Sequence, residues 1–161
     1  MPGPLPGPPV SVTGIRHTGL VVTDLERSLA LYRDALGFTP WRRAVETGPF
    51  IEQVTGIPGV ELEWVKLKAP DQTMLELLCY RRPPSSPSST GAPGAPHQAV
   101  NTPGRLHAAF TVSDVDALFE RLPRHGVRCP APPALSPDGK AKVMYCFDPD
   151  GINLELVQEM D

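Results

Sequence analysis

The stretch His17-Thr-Gly-Leu-Val-Val-Thr-Asp24 returns later in the chain as His107-Ala-Ala-Phe-Thr-Val-Ser-Asp114. In both, an aspartate follows a histidine by seven residues, and an amphipathic run then ends at a glycine, Gly37 or Gly126. A second matched block closes each segment. Pro70-Asp-Gln-Thr-Met-Leu-Glu-Leu77 aligns without a gap on Pro149-Asp-Gly-Ile-Asn-Leu-Glu-Leu156, agreeing at Pro, Asp, Leu, Glu and Leu. Two matched blocks in the same order mark an internal repeat. The chain therefore reads as two copies of one small module.

Each copy is expected to run strand, helix, then three strands. Ile15 to Val22 and Leu106 to Val112 are short, apolar and partly β-branched, as buried strands are. Thr23 with Glu26, and more weakly Ser113 with Asp116, resemble capping boxes that open a helix. Leu25, Leu29, Tyr32 and Leu36 recur on one helical face, as do Val115, Leu118 and Leu122. Pro123 is expected to end or bend the second helix early. Alternating stretches at Glu61–Leu67, Thr73–Tyr80, Lys142–Phe147 and Ile152–Gln158 supply the later strands, with Asp148-Pro-Asp-Gly151 as a turn. The predicted class is α+β: two tandem βαβββ modules forming a curled mixed sheet.

Composition sets the boundaries between them. Fifteen of the 21 prolines fall in residues 1–14, 81–104 and 129–137. Residues 1–13 read as a disordered proline-rich tail, 14–80 as the first module, 81–104 as a Pro/Ser/Gly linker, and 105–161 as the second module. A net charge of −3 across 161 residues offers no basic excess for nucleic acid. No apolar run approaches the roughly 20 residues that span a bilayer. The N-terminus lacks the basic and apolar regions of a signal peptide, and three cysteines are too few for a disulfide framework. A reduced, cytoplasmic protein is the expectation, with a small molecule rather than a polymer or membrane as its substrate.

Four ionisable residues stand where a plain strand would hold something apolar. His17 and His107 fall in the first strand of their modules, and Glu76 and Glu155 in the last, each glutamate flanked as Leu-Glu-Leu. A carboxylate within an apolar strand is costly unless paired or bound to a metal. The alternative for any one glutamate is a solvent-facing position on a half-exposed sheet, and for any one histidine a structural hydrogen bond. The repeat shifts the balance, because pseudo-twofold symmetry can bring all four to a shared axis. Two imidazoles and two carboxylates suit Zn, Ni, Co, Mn or Fe rather than Ca. Such an ion would stabilise an enediolate formed beside a carbonyl, with one carboxylate, Glu76 or Glu155, taking the proton. His97 and His125 read as solvent-facing. Cys79 and Cys146 read as small core residues without the neighbouring histidine of an activated thiol. Arg42 and Arg43, after Trp41, read either as a solvated charge pair or as a binder for an anionic group.

The His-x6-Asp opening, the repeated Leu-Glu-Leu and the run Asp148-Pro-Asp-Gly-Ile-Asn-Leu-Glu-Leu-Val resemble the vicinal oxygen chelate superfamily over residues 14–80 and 105–158. That resemblance implies paired βαβββ modules around a divalent metal held by His17, Glu76, His107 and Glu155. It also implies a homodimer. Within the superfamily the chain is most similar to the glyoxalase I and methylmalonyl-CoA epimerase branch. The function implied is a metal-dependent isomerase or lyase that abstracts a proton next to a carbonyl through a metal-bound enediolate. Two alternatives stand beside it: an Fe(II) extradiol-type dioxygenase, and a non-catalytic drug-binding protein of the resistance type. The low aromatic content, 6%, weighs against a stacking-based drug trap.

Overall fold

Apolar alternation and glycine stops divide the chain into two four-stranded units. The computed structural model describes residues 11–84 and 99–160. The first unit comprises β1 (Thr18–Val21), α1 (Leu25–Leu29, continuing as a π-helical turn over Ala30–Ala35), β2 (Thr39–Thr47), α2 (Pro49–Thr55), β3 (Glu61–Lys68) and β4 (Met74–Arg82). The second comprises β5 (His107–Thr111), α3 (Val115–Arg121, continuing as a 3-10 turn over Leu122–His125), β6 (Ala134–Leu135), β7 (Ala141–Phe147) and β8 (Asn153–Glu159). The strand orders are β1-β4-β3-β2 and β5-β8-β7-β6. In each sheet the first strand pairs parallel to the last, and the other pairings are antiparallel. The α+β class and the tandem modules stand as expected. The two sheets do not join into one closed sheet.

Several boundaries differ from the sequence reading, each for a local reason. The strands begin at or just after the histidines, not before them, and Ile15 and Leu106 are 92% and 85% exposed. The helices are capped by Asp24 and Asp114, whose carboxylates accept from the backbone N–H of Arg27 and Ala117. That frees Thr23 for another partner and sends Glu26 to Arg43. The helices end as foreseen, with Gly37 and Gly126 at φ +80° and +76°, a backbone region that favours glycine. Pro123 sits in the tightened 3-10 turn after α3. The helix α2 was not foreseen; its seven residues are too few to show a full amphipathic period. β4 runs to Arg82, two residues into the stretch read as linker, because Arg81 and Arg82 pair with Glu63 and Glu61 on β3. Most of that linker, residues 85–98, lies outside the described residues, as do most of the N-terminal tail and His97.

One core serves both units. Leu25, Leu29 and Tyr32 of the first helix and Val115 and Leu122 of the second pack with Leu75, Leu77, Leu154 and Leu156 of the central strands. Phe38 bridges the units through edge contacts with Tyr32 and Phe110, at centroid distances of 6.5 and 5.1 Å. The turn Asp148–Gly151 adds the polar bonds. Tyr32 Oη donates to Asp148 Oδ2 at 2.9 Å, and Asp148 Oδ1 accepts from the backbone N–H of Asp150 and Ile152. Asp150 in turn accepts from Thr23 and Arg27. A sequence run that reads as a turn is thus also the clasp between the modules.

Burial pushes the Asp148 carboxyl up to about 6, against the opposing effect of its hydrogen bonds. Between about pH 4 and 6 the folded protein therefore holds more protons at this group than the unfolded chain does. Its contribution is full below the unfolded pKa and is lost as pH rises through about 6. Asp148→Asn keeps an oxygen acceptor and cannot ionise, so it should flatten the fall in stability across that window. Urea unfolding midpoints between pH 4 and 8 check this; an unchanged slope would contradict it.

Candidate metal centre

The parallel pairing of the first and last strand sets each histidine beside its glutamate. In the first module Gly19 is registered on Glu76, and His17 precedes β1 by one residue. In the second, Ala109 is registered on Glu155, two residues after His107. His17 and Glu76 thus occupy the same places as His107 and Glu155. His17 Nε2 lies 2.8 Å from Glu76 Oε2, and His107 Nε2 lies 3.0 Å from Glu155 Oε2. The same two atoms meet at nearly the same distance in both modules. Glycine at position 19 leaves room here: a Cβ would stand 3.2 Å from a Leu78 methyl and 3.9 Å from the His17 ring.

The donor set fits a divalent ion. Ligand bonds of about 2.1 Å at a right angle place a nitrogen and an oxygen roughly 3.0 Å apart, which is the separation in both pairs. His17 Nδ1 is buried and meets no hydrogen-bond partner among the described residues, so the first pair has a polar atom still to satisfy. Two ligands do not complete a site, however. Among the described residues no three His, Cys, Asp or Glu side chains come together as a metal-binding group. Each module of the chain presents one His–Glu pair, and the two pairs do not merge into one four-ligand cluster.

The neighbours of the pairs break the symmetry. Lys66 is registered opposite Glu76 on β3, with its Nζ 3.7 Å from Glu76 Oε1. The equivalent residue opposite Glu155 is Tyr145 on β7, whose ring lies 5.6 Å from that of His107. Neither residue stood out in the sequence. The signal was available in the strand pairing, since a residue opposite a strand glutamate shares its face. The two arginines after Trp41 part company because strand residues alternate. Arg43 binds Glu26 and Glu63 on the helix-covered face. Burial pushes the Glu63 carboxyl up, but bonds from Arg81 and Arg43 outweigh this and hold it below the usual range. Arg42 lies on the other face, registered opposite Lys66.

The remaining candidates lie apart from the pairs. His125 sits in the 3-10 turn after α3. Cys79 and Cys146 are buried and Cys129 is half-buried; burial raises all three thiols, Cys146 to about 12, so none supplies a thiolate near neutrality. A cavity of about 480 Å³ runs along the free edge of β5, between His107–Val112 and Phe38, Pro70 and Leu75. It touches the second pair only through His107. No helix among the described residues is long and apolar enough to cross a membrane.

Comparison with known proteins bears on the family and the fold. The model of the Glyoxalase/Bleomycin resistance protein/Dioxygenase superfamily matches residues 14–156. The chain is 29% identical to the uncharacterized protein YaeR of Escherichia coli over 145 residues, covering 90% of this chain and 95% of that one. Among solved structures, a glyoxalase family protein from Bacillus cereus is similar with a TM-score of 0.80 and 24% identity, covering 94% of this chain and 97% of that one. The trypanothione-dependent glyoxalase I of Leishmania major has a TM-score of 0.55 and 25% identity, with 89% and 84% of the two chains covered.

If the two pairs serve one ion, Glu155→Gln and His107→Ala should each lower bound nickel or zinc by about 10-fold or more. Elemental analysis of dialysed protein reads this out. Unchanged, stoichiometric metal in both variants would contradict it.

Proposed function

The chain belongs to the Glyoxalase/Bleomycin resistance protein/Dioxygenase superfamily, and on that footing we propose that it is a metal-dependent isomerase or lyase that moves a proton next to a carbonyl. One observation carries the reading: the same His Nε2–Glu Oε2 contact occurs twice, at equivalent register positions. Each contact pairs an imidazole nitrogen with a carboxylate oxygen, two atoms that bind divalent ions, and both modules keep it. His17, Glu76, His107 and Glu155 would hold the ion, which supplies Lewis-acid polarisation of a carbonyl oxygen when bound. Ni, Zn, Co, Mn and Fe all accept such a mixed nitrogen and oxygen set.

The chain's own residues account for the remaining steps. A glutamate carboxylate within reach of the substrate's α-carbon takes the proton and returns it to a neighbouring position. Glu76 and Glu155 are the candidates. Glu76 is the more buried, and Lys66 Nζ stands 3.7 Å from its Oε1. In the second module Tyr145 stands opposite Glu155, with its ring 5.6 Å from that of His107.

We further infer that the working protein is a homodimer in which one copy's His17–Glu76 pair faces the other's His107–Glu155 pair. Support comes from the separation of the pairs within one chain. A second support is the apolar surface left open on α2, where Phe50 and Val54, one turn apart, are 72% and 65% exposed while Ile51 is buried. A twofold axis makes two such arrangements at once.

The reaction class is tested by incubating nickel- or zinc-loaded protein anaerobically with 2-oxoaldehyde–thiol hemithioacetals and 2-methyl-branched acyl thioesters in deuterated buffer. Deuterium should enter the substrate's α-position, and either Glu76→Gln or Glu155→Gln should abolish it. Oxygen uptake with a catechol, and no exchange with either carbonyl class, would replace this reading with the dioxygenase one.

A further inference from the structure

The two metal-ligand pairs are alike, but what stands beside them is not. On the first module, Arg42, Lys66 and Glu76 form a straight cross-strand row on one face of the sheet, ending at Gly19. Residues registered directly opposite each other share a face, so this row continues outward from the His17–Glu76 pair. Lys68, two residues beyond Lys66, adds a third cation on that face. On the second module the place of Lys66 is taken by Tyr145, and the row stops there, because the short strand β6 pairs with Val143 and Lys142 instead.

Aromatic rings hold all three cations in place, and among the described residues Lys66 alone of the three also has a carboxylate within ion-pair distance, Glu76. The Arg42 guanidinium lies 4.4 Å from the centre of the Trp41 ring and Lys68 Nζ lies 4.5 Å from it. Lys66 Nζ lies 4.8 Å from the Trp64 ring. Aromatic contacts of this kind orient a cation and leave its N–H donors available. The carboxylates on the face are otherwise engaged. Glu46 accepts from Trp64 Nε1 at 2.8 Å. Glu76 is 3.7 Å from Lys66, beyond hydrogen-bond reach, and already faces His17. Among the described residues, Arg42 and Lys68 have no carboxylate within ion-pair distance, unlike Arg43, Arg81 and Arg82.

We propose that Lys66 and Arg42 form a subsite for an anionic group on the substrate, a carboxylate or a phosphoryl group, so that the chelating end lies at His17–Glu76 and the charged end along the Lys66–Arg42 row. This rests on the metal-site reading above and gives it a substrate class. Neighbouring strands are about 4.8 Å apart, so the anion sits one to two strand spacings, roughly 5–10 Å, from the chelated oxygens. That is the length of a two- to four-carbon arm. Because the second module has Tyr145 in place of the cation, the substrate binds in one direction only.

The test uses full-length nickel-loaded protein and three hydroxamates that chelate alike and differ in the arm: acetohydroxamate, succinyl monohydroxamate, and a phosphonoethyl hydroxamate. Nickel content is measured first, and dissociation constants then by calorimetry. At least one anionic probe should bind about tenfold or more tightly than acetohydroxamate, since a charge-assisted contact is worth that much. Whether the carboxylate or the phosphonate gains more identifies the group. Arg42→Gln should remove most of the preference while nickel content and the acetohydroxamate constant stay within about twofold. Lys66→Met, which also loses the contact with Glu76, is read only as the ratio of the anionic probe's constant to that of acetohydroxamate, and that ratio should fall toward one. A preference absent in the parent, or intact in the double variant, would overturn the proposal. A parent protein that takes up no nickel would sink the metal reading alone. In that case saturation-transfer NMR of chelator-treated protein with methylphosphonate and succinate decides the anion subsite, which predicts signals from at least one probe that vanish in the double variant.

Discussion

Asp148 is a carboxylate buried between two modules, and its bonds hold both halves of the chain in register. One oxygen takes the Tyr32 hydroxyl from the first helix, and the other takes two backbone N–H groups of its own turn. The turn leads directly into β8 and so fixes where Glu155 falls. The helix that carries Tyr32 follows β1 and so bears on where His17 falls. Bonds from Thr23 and Arg27 to Asp150 reinforce the same joint. A buried carboxylate is worth keeping only when its acceptors are met, and here both oxygens are.

The two His–Glu pairs follow from strand pairing. A parallel first and last strand places the residue near the start of one beside the middle of the other, and the repeat does this twice. Among the described residues, each sheet therefore brings together one histidine nitrogen and one glutamate oxygen. The separation of the pairs and the open apolar face of α2 are the observations on which the proposed dimeric site rests. The two pairs differ in what stands opposite the glutamate, Lys66 in the first module and Tyr145 in the second, and the proposed direction of substrate binding rests on that difference.

Much of this was legible in the sequence because the repeat announces itself. Leu-Glu-Leu at 75–77 and 154–156, each at a fixed place after a His-x6-Asp opening, marks both the module boundaries and the four ionisable residues. The helix stops at Gly37 and Gly126 were readable because few other residues adopt a positive φ. What escaped depends on pairing between distant strands. Nothing local tells that Lys66 lies opposite Glu76, or that Arg42 and Arg43 turn to opposite faces, until the register is known. The helix caps were misplaced by one residue because Thr23 and Asp24 are both good caps, and the choice is made by Asp150, far away in the chain. Helix α2 was missed because its seven residues show no full amphipathic period, with Ile51 buried and Phe50 and Val54 facing outward.

The claim that one ion is held by both kinds of pair, across two copies, is tested most directly by mixing chains. His17→Ala and His107→Ala proteins should each bind little nickel alone. After the two are unfolded, mixed and refolded together, heterodimers would contain one damaged site with both substitutions and one intact site. Nickel binding should then return to about a quarter of the parent's level under random pairing. Mixed protein that binds no more nickel than its separate components would contradict the account.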